Sequence, residues 1–232
     1  MFTVQGGKIM VWKSTATHRL CRLSGLGVGL LLFGAVSGAF GRASQALPDD
    51  PFARGKALLL QGKFADARAS FDTALQQAPD NKEARYHRGV AWLNLGNPDA
   101  AWADFQATID ADAGFALGYV GRAQVWIKRS NYIEADKEVA AALARNERSD
   151  EAYYQRGIVR GYQKRTNEAI AALEKCLELN PLHAYGHYQL GLAYNVAKRK
   201  DQTIVHLEKF LALAPLAPEA PQVRNLLNML RR

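Results

Sequence analysis

Apolar residues recur at helical spacing in pairs of short segments along residues 48–217, and a polar break separates the two segments of each pair. In one pair, Tyr86 and Val90 mark the apolar face of a first helix, and Ala101 and Phe105 mark that of a second. The break at residues 95–98 contains glycine, asparagine and proline, which favour turns. The pattern therefore predicts an all-α chain that is built from helix pairs joined by tight turns.

The same pattern returns every 34 residues without insertion, so five repeats span residues 48–81, 82–115, 116–149, 150–183 and 184–217. The eighth position is always small, with Gly55, Gly89, Ala123, Gly157 and Gly191. The twenty-fourth position is always apolar, with Phe71, Phe105, Val139, Leu173 and Leu207. Helices that pack about 8–10 Å apart need such a gap, which a large residue of the neighbouring helix fills. The fixed period predicts a solenoid in which each repeat contacts its neighbours.

The period and these residue types resemble the tetratricopeptide repeat family, whose unit is a helix–turn–helix. The fifth repeat matches closely, with Leu190 and Gly191, then Tyr194, and Pro215 at its end. The resemblance covers residues 48–217 and implies a helix-turn-helix solenoid of five repeats. Four repeats depart from the family pattern, because arginine replaces the usual leucine before the small residue at Arg54, Arg88, Arg122 and Arg156.

Residues 218–232 follow the last repeat and predict one further helix. Val223, Leu227 and Leu230 have helical spacing, whereas Arg224 and Asn228 make the opposite side polar. A solenoid leaves the apolar face of its last repeat open, and this helix is expected to cover that face as a cap.

The resemblance also implies a concave groove that is lined by the first helix of each repeat, through six positions per repeat. These positions give the candidates Phe52, Lys56, Glu83, Tyr86, His87, Asn94, Gln124, Lys128, Tyr154, Gln155, Tyr162, Tyr185, Tyr188, Gln189 and Asn195. Tyrosine offers a broad apolar surface with a polar tip, and amide side chains can pair with a peptide backbone. The expected partners are therefore other proteins, each held through an extended or helical segment.

Two other features each have two interpretations. The four recurring arginines form either a basic ladder for an acidic partner or ion pairs within the chain, for example with Asp104, and we favour the ion pairs. Cys176 is either a buried small residue, at the position that Ala74 and Ala142 hold in other repeats, or a redox thiol. We favour the buried residue, since a reactive thiol needs exposure and a nearby cation.

The formal net charge of +8 does not predict a nucleic-acid partner. Five basic residues and no acidic residue lie in residues 1–46, which leaves +3 for residues 47–232 and no basic run interleaved with aromatic residues. The sequence has no metalloprotease, hydrolase-nucleophile or phosphate-loop motif, so we expect no enzyme and no cofactor. His183 and His187 have the spacing of a helical metal pair but lack an evident third ligand, so we expect no metal site.

Residues 1–46 have the composition of a signal peptide. Basic residues extend to Arg22, an uncharged apolar stretch covers residues 23–41, and small residues precede a cleavage position after Ala46. The alternative is an uncleaved signal anchor that contacts the membrane through residues 23–41, a stretch near the lower length limit for a spanning helix. Met10 is an alternative start that gives a leader of more ordinary length.

Together these features predict a non-enzymatic protein-interaction scaffold of the bacterial cell envelope, which is exported to the periplasm and binds partner segments in its concave groove. The alternative is a membrane-anchored structural subunit of a secretion, pilus or cytochrome-maturation assembly, with its repeats outside the cytoplasm. The two hypotheses differ in the fate of residues 1–46.

Overall fold

The computed structural model describes residues 47–232, and the leader predicted for residues 1–46 lies outside this described part. Residues 47–232 form eleven helices and no strand, which confirms the predicted all-α class. The helices are α1 (Pro51–Leu60), α2 (Phe64–Gln77), α3 (Lys82–Asn94), α4 (Pro98–Ala111), α5 (Ala116–Lys128), α6 (Tyr132–Arg145), α7 (Asp150–Tyr162), α8 (Thr166–Leu179), α9 (Ala184–Val196), α10 (Lys200–Leu213) and α11 (Ala220–Leu230). No helix within residues 47–232 is long and apolar enough to cross a bilayer.

Helices α1 to α10 pack as five successive hairpins in a solenoid, and local side chains fix where the helices begin. Asn81, Asn97 and Asn131 each accept a hydrogen bond from the backbone N–H three residues later, at 2.9, 3.0 and 3.2 Å. Such a cap contributes about 1 kcal/mol. One residue in the turn of each hairpin has a positive φ, and these residues also recur every 34 positions: Gly62, Gly96, Ser130, Lys164 and Lys198.

Large side chains of the second helices fill the space that glycine leaves on the first helices. A Cβ atom on Gly89 would lie 2.5 Å from Cε1 of Phe105, and one on Gly157 would lie 2.5 Å from Cγ of Leu173. Ordinary contacts to a Cβ atom begin near 3.4 Å, so a larger residue needs a shift of its neighbour. The eighth and twenty-fourth positions thus form one contact in four of the hairpins: Gly55–Phe71, Gly89–Phe105, Gly157–Leu173 and Gly191–Leu207.

Helix α11 packs over the last hairpin in the manner of a capping helix. Val223 and Leu227 of α11 are buried and pack in one cluster with Leu207 and Phe210 of α10. The apolar side of α11 therefore replaces the contact that a sixth hairpin would make.

The row of hairpins curves until its first and last parts meet. Gly62, in the turn between α1 and α2, lies against the ring of Pro218 in the connection between α10 and α11. A side chain at position 62 would collide with this ring, and the positive φ of Gly62 also favours glycine. The contact brings the first hairpin and the cap to the same side of the concave surface.

Two of the four recurring arginines form ion pairs within the described residues, and Arg54 instead donates to the backbone carbonyls of Pro48 and Asp49. Arg88 donates to both carboxylate oxygens of Asp104, at 2.6 and 2.9 Å. Arg122 pairs with Glu138, and its guanidinium lies 4.8 Å from the ring centroid of Trp102. The favoured interpretation, ion pairs within the chain, is therefore correct for Arg88 and Arg122.

Gly157→Leu is expected to lower the free energy of unfolding by about 1–3 kcal/mol, because the added side chain overfills the contact with Leu173. Ala171→Leu is the matched control, since Ala171 is exposed on α8, and its effect should stay within about 0.5 kcal/mol. Urea denaturation of the purified variants measures both values. An unchanged midpoint for Gly157→Leu would contradict the packing described for this hairpin.

Candidate functional site

The concave side of the solenoid contains a cavity of about 410 Å³, which we call the groove cavity. All five hairpins and the residue before α11 contribute to its wall. The lining residues are Leu59, Leu60, Phe64, Tyr86, His87, Val90, Leu93, Asn94, Gln124, Ile127, Lys128, Glu151, Tyr154, Gln155, His183, Tyr185 and Glu219. The wall therefore combines an aliphatic part, mainly from the first three hairpins, with a polar and aromatic part from the later ones.

Glu151 is the centre of a hydrogen-bond network in the groove cavity. Its Oε1 accepts from Nε2 of Gln155 at 2.9 Å and, more weakly, from Nε2 of Gln124 at 3.4 Å. Its Oε2 lies 3.0 Å from Nε2 of His183. Burial is the largest effect and raises the pKa of Glu151, but several lowering effects, led by the hydrogen bond from His183, together outweigh burial. The net pKa therefore lies below the ordinary value. A carboxylate is thus present in the cavity at neutral pH.

His183 connects this network to the start of α9. Its Nδ1 accepts a hydrogen bond from the backbone N–H of Gly186 at 2.9 Å, so the ring proton lies on Nε2 and is donated to Glu151. Burial lowers the pKa of His183, whereas Glu151 raises it, with a net rise. The neutral ring keeps the bond from Gly186, because a second proton on Nδ1 would break it.

Tyrosine hydroxyls extend the polar part of the wall. The hydroxyl of Tyr86 accepts from Gln124 at 3.2 Å, and the hydroxyl of Tyr185 donates to Glu219 at 3.0 Å. Burial and then the charge of Glu151 raise the pKa values of Tyr86 and Tyr154 well above the ordinary range. These hydroxyls stay protonated and can donate hydrogen bonds to a bound molecule.

An aromatic cluster borders the cavity at the second hairpin. The ring of His87 stacks on Phe71 with centroids 5.7 Å apart, and it also contacts the rings of Phe52 and Tyr86 at 5.7 and 5.1 Å. Burial, and after it the charge of Lys56, lower the pKa of His87 to about 4. His87 is therefore a neutral imidazole at physiological pH.

Eight of the predicted groove residues line the cavity: Tyr86, His87, Asn94, Gln124, Lys128, Tyr154, Gln155 and Tyr185. The structure does not bring the other candidates to its wall, which are Phe52, Lys56, Glu83, Tyr162, Tyr188, Gln189 and Asn195. At the first repeat, Phe52 packs between Phe71 and His87, and the exposed Lys56 lies over the Phe52 ring at 5.5 Å. Phe52 and Lys56 therefore pack behind or beside the cavity wall and do not line it.

The remaining candidates lie near helix ends or in the last hairpin. Tyr162, at the end of α7, stacks on Tyr132 with a centroid distance of 4.8 Å. Tyr188 packs on Phe210 at 5.0 Å, while Asn195 is exposed and Gln189 is half-buried. The last hairpin has α11 after it instead of another first helix, so the second half of α9 has no facing groove wall.

Sequence reasoning missed three polar residues of the wall. Glu151 has the same position in the fourth repeat as Glu83 in the second, so the repeat register alone could have found it. His183 and Glu219 lie at the starts of α9 and α11, outside the six groove positions, and no sequence signal indicated them. Leu60 was also missed, although it has the same repeat position as Asn94 and Lys128, so the register could have found it. Phe64 belongs to the second helix α2 and lies outside the groove positions.

The two histidines with metal-pair spacing face different environments. His183 contacts Glu151, whereas Nδ1 of His187 lies 2.9 Å from Nδ1 of His206 in the neighbouring helix α10. No group of three histidine, cysteine or acidic residues that could hold a metal ion is found within residues 47–232. Cys176 is fully buried, and burial raises the pKa of its thiol, as for a packed small residue.

Comparison with known proteins gives matches to tetratricopeptide repeat models and to larger relatives. A family model described as tetratricopeptide repeat matches residues 52–114, and another with the same description matches residues 150–183. DnaJ homolog subfamily C member 3 of Rattus norvegicus is 31% identical over 97 residues, which are 42% of this chain and 19% of that protein. The tetratricopeptide repeat and J domain-containing co-chaperone of Cryptococcus neoformans is 27% identical over 84 residues, which are 36% of this chain and 16% of that protein. The match thus spans less than a fifth of these relatives' length.

Solved structures show the same architecture. A thermophilic TPR protein of Thermus thermophilus superposes with a TM-score of 0.63 at 21% identity, over 78% of this chain and 97% of that chain. A tetratricopeptide repeat protein from Parabacteroides merdae superposes with a TM-score of 0.63 at 19% identity, over 78% and 70% of the two chains. The 34-residue register and these matches define the class as an α-solenoid of tetratricopeptide type. Residues 52–114 and 150–183 thus match the tetratricopeptide repeat family, and the fold of residues 47–232 is that of a tetratricopeptide solenoid.

His87 is expected to titrate with a midpoint near pH 4, well below the ordinary histidine value of 6.5. The unfolded chain then binds a proton more readily than the folded chain, so the stability that neutral His87 provides is present above about pH 6.5. This stability is lost as the pH falls toward 4. A proton NMR titration, with the His87 signal assigned by its loss in His87→Gln, measures the midpoint. Titration near pH 6.5 would show that the ring is not buried as described.

Proposed function

We propose that this chain is a non-enzymatic protein-interaction scaffold that binds a short segment of a partner protein in the groove cavity. The composition of the cavity wall carries this proposal, because all five hairpins place aliphatic, tyrosine and amide side chains around one space. Tyrosine provides a rigid apolar contact with a polar tip, as in protein interfaces. Glutamine and asparagine can pair with the N–H and C=O groups of a peptide backbone.

The size and closure of the cavity favour a short segment. Its volume of about 410 Å³ lies within the roughly 300–1,000 Å³ that is usual for ligand pockets. The contact between Gly62 and Pro218 brings the first hairpin to the cap, so the wall surrounds a bound segment from both ends of the solenoid. Leu60 lines the cavity and is 43% exposed, which leaves apolar surface for a partner to bury.

The charges of the wall favour a peptide over a nucleic acid. Glu151 and Glu219 line the cavity, and a phosphate backbone would be repelled by both carboxylates. The matched relative from Cryptococcus neoformans is named a co-chaperone. This similarity supports a protein partner in general terms.

For the location, we propose export to the periplasm of a bacterial cell envelope by cleavage of the leader. The proposal rests on the basic, apolar and small-residue segments of residues 1–46. A membrane-anchored subunit of an envelope assembly is the second candidate, which the apolar stretch 23–41 favours if it is retained.

Tyr154→Ala is expected to weaken partner capture several-fold, because Tyr154 lines the groove cavity and packs on His183 at 4.9 Å. Tyr162→Ala on the same helix is the matched control, since Tyr162 stacks on Tyr132 away from the wall. Capture from cell extract is quantified by mass spectrometry after circular dichroism confirms folding of both variants. Equal capture by wild type and Tyr154→Ala would show that the groove cavity is not the binding site.

N-terminal sequencing of the protein from cell fractions is expected to give a start at Leu47, because cleavage after Ala46 follows the small residues of the leader. Replacing Ala46 with a bulky residue should then delay processing, as seen in pulse-labelled cells. A retained leader in the membrane fraction would favour the anchored subunit and contradict free export.

A further inference from the structure

The groove cavity has an acidic end where the fourth hairpin, the fifth hairpin and the cap come together. Glu151 lies in the first turn of α7, and Glu219 immediately precedes α11. Tyr154 packs at 4.9 Å on His183, which contacts Glu151, and both carboxylates line the same cavity as these rings. Lys128 is the single lysine or arginine among the described residues that line this cavity, and it is exposed at the end of α5.

Neither carboxylate forms an ion pair with a lysine or arginine of residues 47–232. Glu151 accepts hydrogen bonds from two glutamine amides and from the imidazole of His183. Within residues 47–232, Glu219 accepts one side-chain hydrogen bond, from the hydroxyl of Tyr185. These donors orient both carboxylates, and no lysine or arginine of the described residues occupies the space in front of them.

The surfaces beside the carboxylates suit a long basic side chain. Leu60 and Phe64 of the first hairpin line the same cavity and offer apolar surface for an aliphatic stem. Tyr154 and Tyr185 offer aromatic rings, which attract a cation over their faces. A lysine or arginine has both parts, since a charged head lies at the end of an apolar stem.

We propose that the groove cavity selects partner segments that carry a lysine or arginine, with the basic head group at Glu219 and Glu151 and its stem on the apolar wall. This inference rests on the proposed function, because it names the chemistry of the segment that the groove holds. Charge complementarity identifies the occupant: an acidic side chain at this position would meet two carboxylates without a compensating cation.

Synthetic peptides test this selection directly. The probe is a seven-residue peptide of alanine and leucine with blocked ends and a central arginine, compared with analogues that carry citrulline or glutamate at the centre. Citrulline keeps the shape and hydrogen-bonding ability of arginine but removes its charge. Fluorescence anisotropy on the protein of residues 47–232 is expected to show about tenfold tighter binding of the arginine peptide than of the citrulline peptide.

Glu219→Gln should reduce this tenfold preference to less than about threefold, because it removes the charge and keeps the shape. Glu83→Gln is the matched control: Glu83 has the same repeat position as Glu151, is exposed, and does not line the cavity. The control should keep the full preference. Circular dichroism and thermal melts verify that both variants fold.

Three outcomes would overturn the inference: equal binding of the arginine and citrulline peptides, tighter binding of the glutamate peptide, or no binding of any peptide. If capture of natural partners still depends on Tyr154 in any of these cases, the groove function stands and only the choice of a basic residue fails. If capture does not depend on Tyr154, the proposed function fails independently of the peptide result.

Discussion

The contact between a small residue on the first helix and a large residue on the second is the constraint on which the solenoid depends. Gly89 and Phe105 show its geometry, because the ring occupies the volume where a Cβ atom would otherwise stand. Phe105 also lies against Gly121 of the following hairpin, so one buried ring joins two repeats. This contact recurs at the 34-residue spacing in four of the five hairpins, and the small rotation from each hairpin to the next gives the curvature of the groove.

The repeat register explains how much of the molecule the sequence could predict. Helix type, hairpin order and the cap follow from spacing and residue size, since those features depend on contacts between neighbours. Tyr86, Gln124 and Tyr154 follow from the same register, because first helices carry the concave surface. The register also assigned Tyr188 to the groove, but packing against Phe210 in the last hairpin holds this side chain away from the wall.

Features that depend on accumulated curvature could not be predicted from the spacing. The meeting of Gly62 with Pro218 joins residues that are far apart in sequence, and small rotations at each hairpin decide whether they touch. Glu219 belongs to no repeat, and it reaches the cavity because the connection to α11 folds back over the last hairpin. The acidic character of the groove thus comes partly from the connection to the cap, whereas its aromatic character comes from the repeats.

The charged residues of the chain divide into two groups by position. Arg88 and Arg122, which precede small residues, pair with carboxylates of neighbouring helices and contribute to the packing of the scaffold. The carboxylates of the cavity instead accept hydrogen bonds from amides, a tyrosine hydroxyl and an imidazole, and neither pairs with a lysine or arginine of the described residues. Acidic residues that pack the hairpins are therefore paired with arginine, whereas those that line the groove cavity are not.

Site-specific crosslinking tests the central claim, that partners bind in the groove cavity, most directly. A photoreactive amino acid replaces Lys128, which lines the cavity, or Lys137, which is exposed on α6 and does not line it. The account predicts that irradiation in cells joins a partner segment to the protein through position 128 and leaves position 137 without that product. Crosslinks to the same partner through position 137 alone would contradict it.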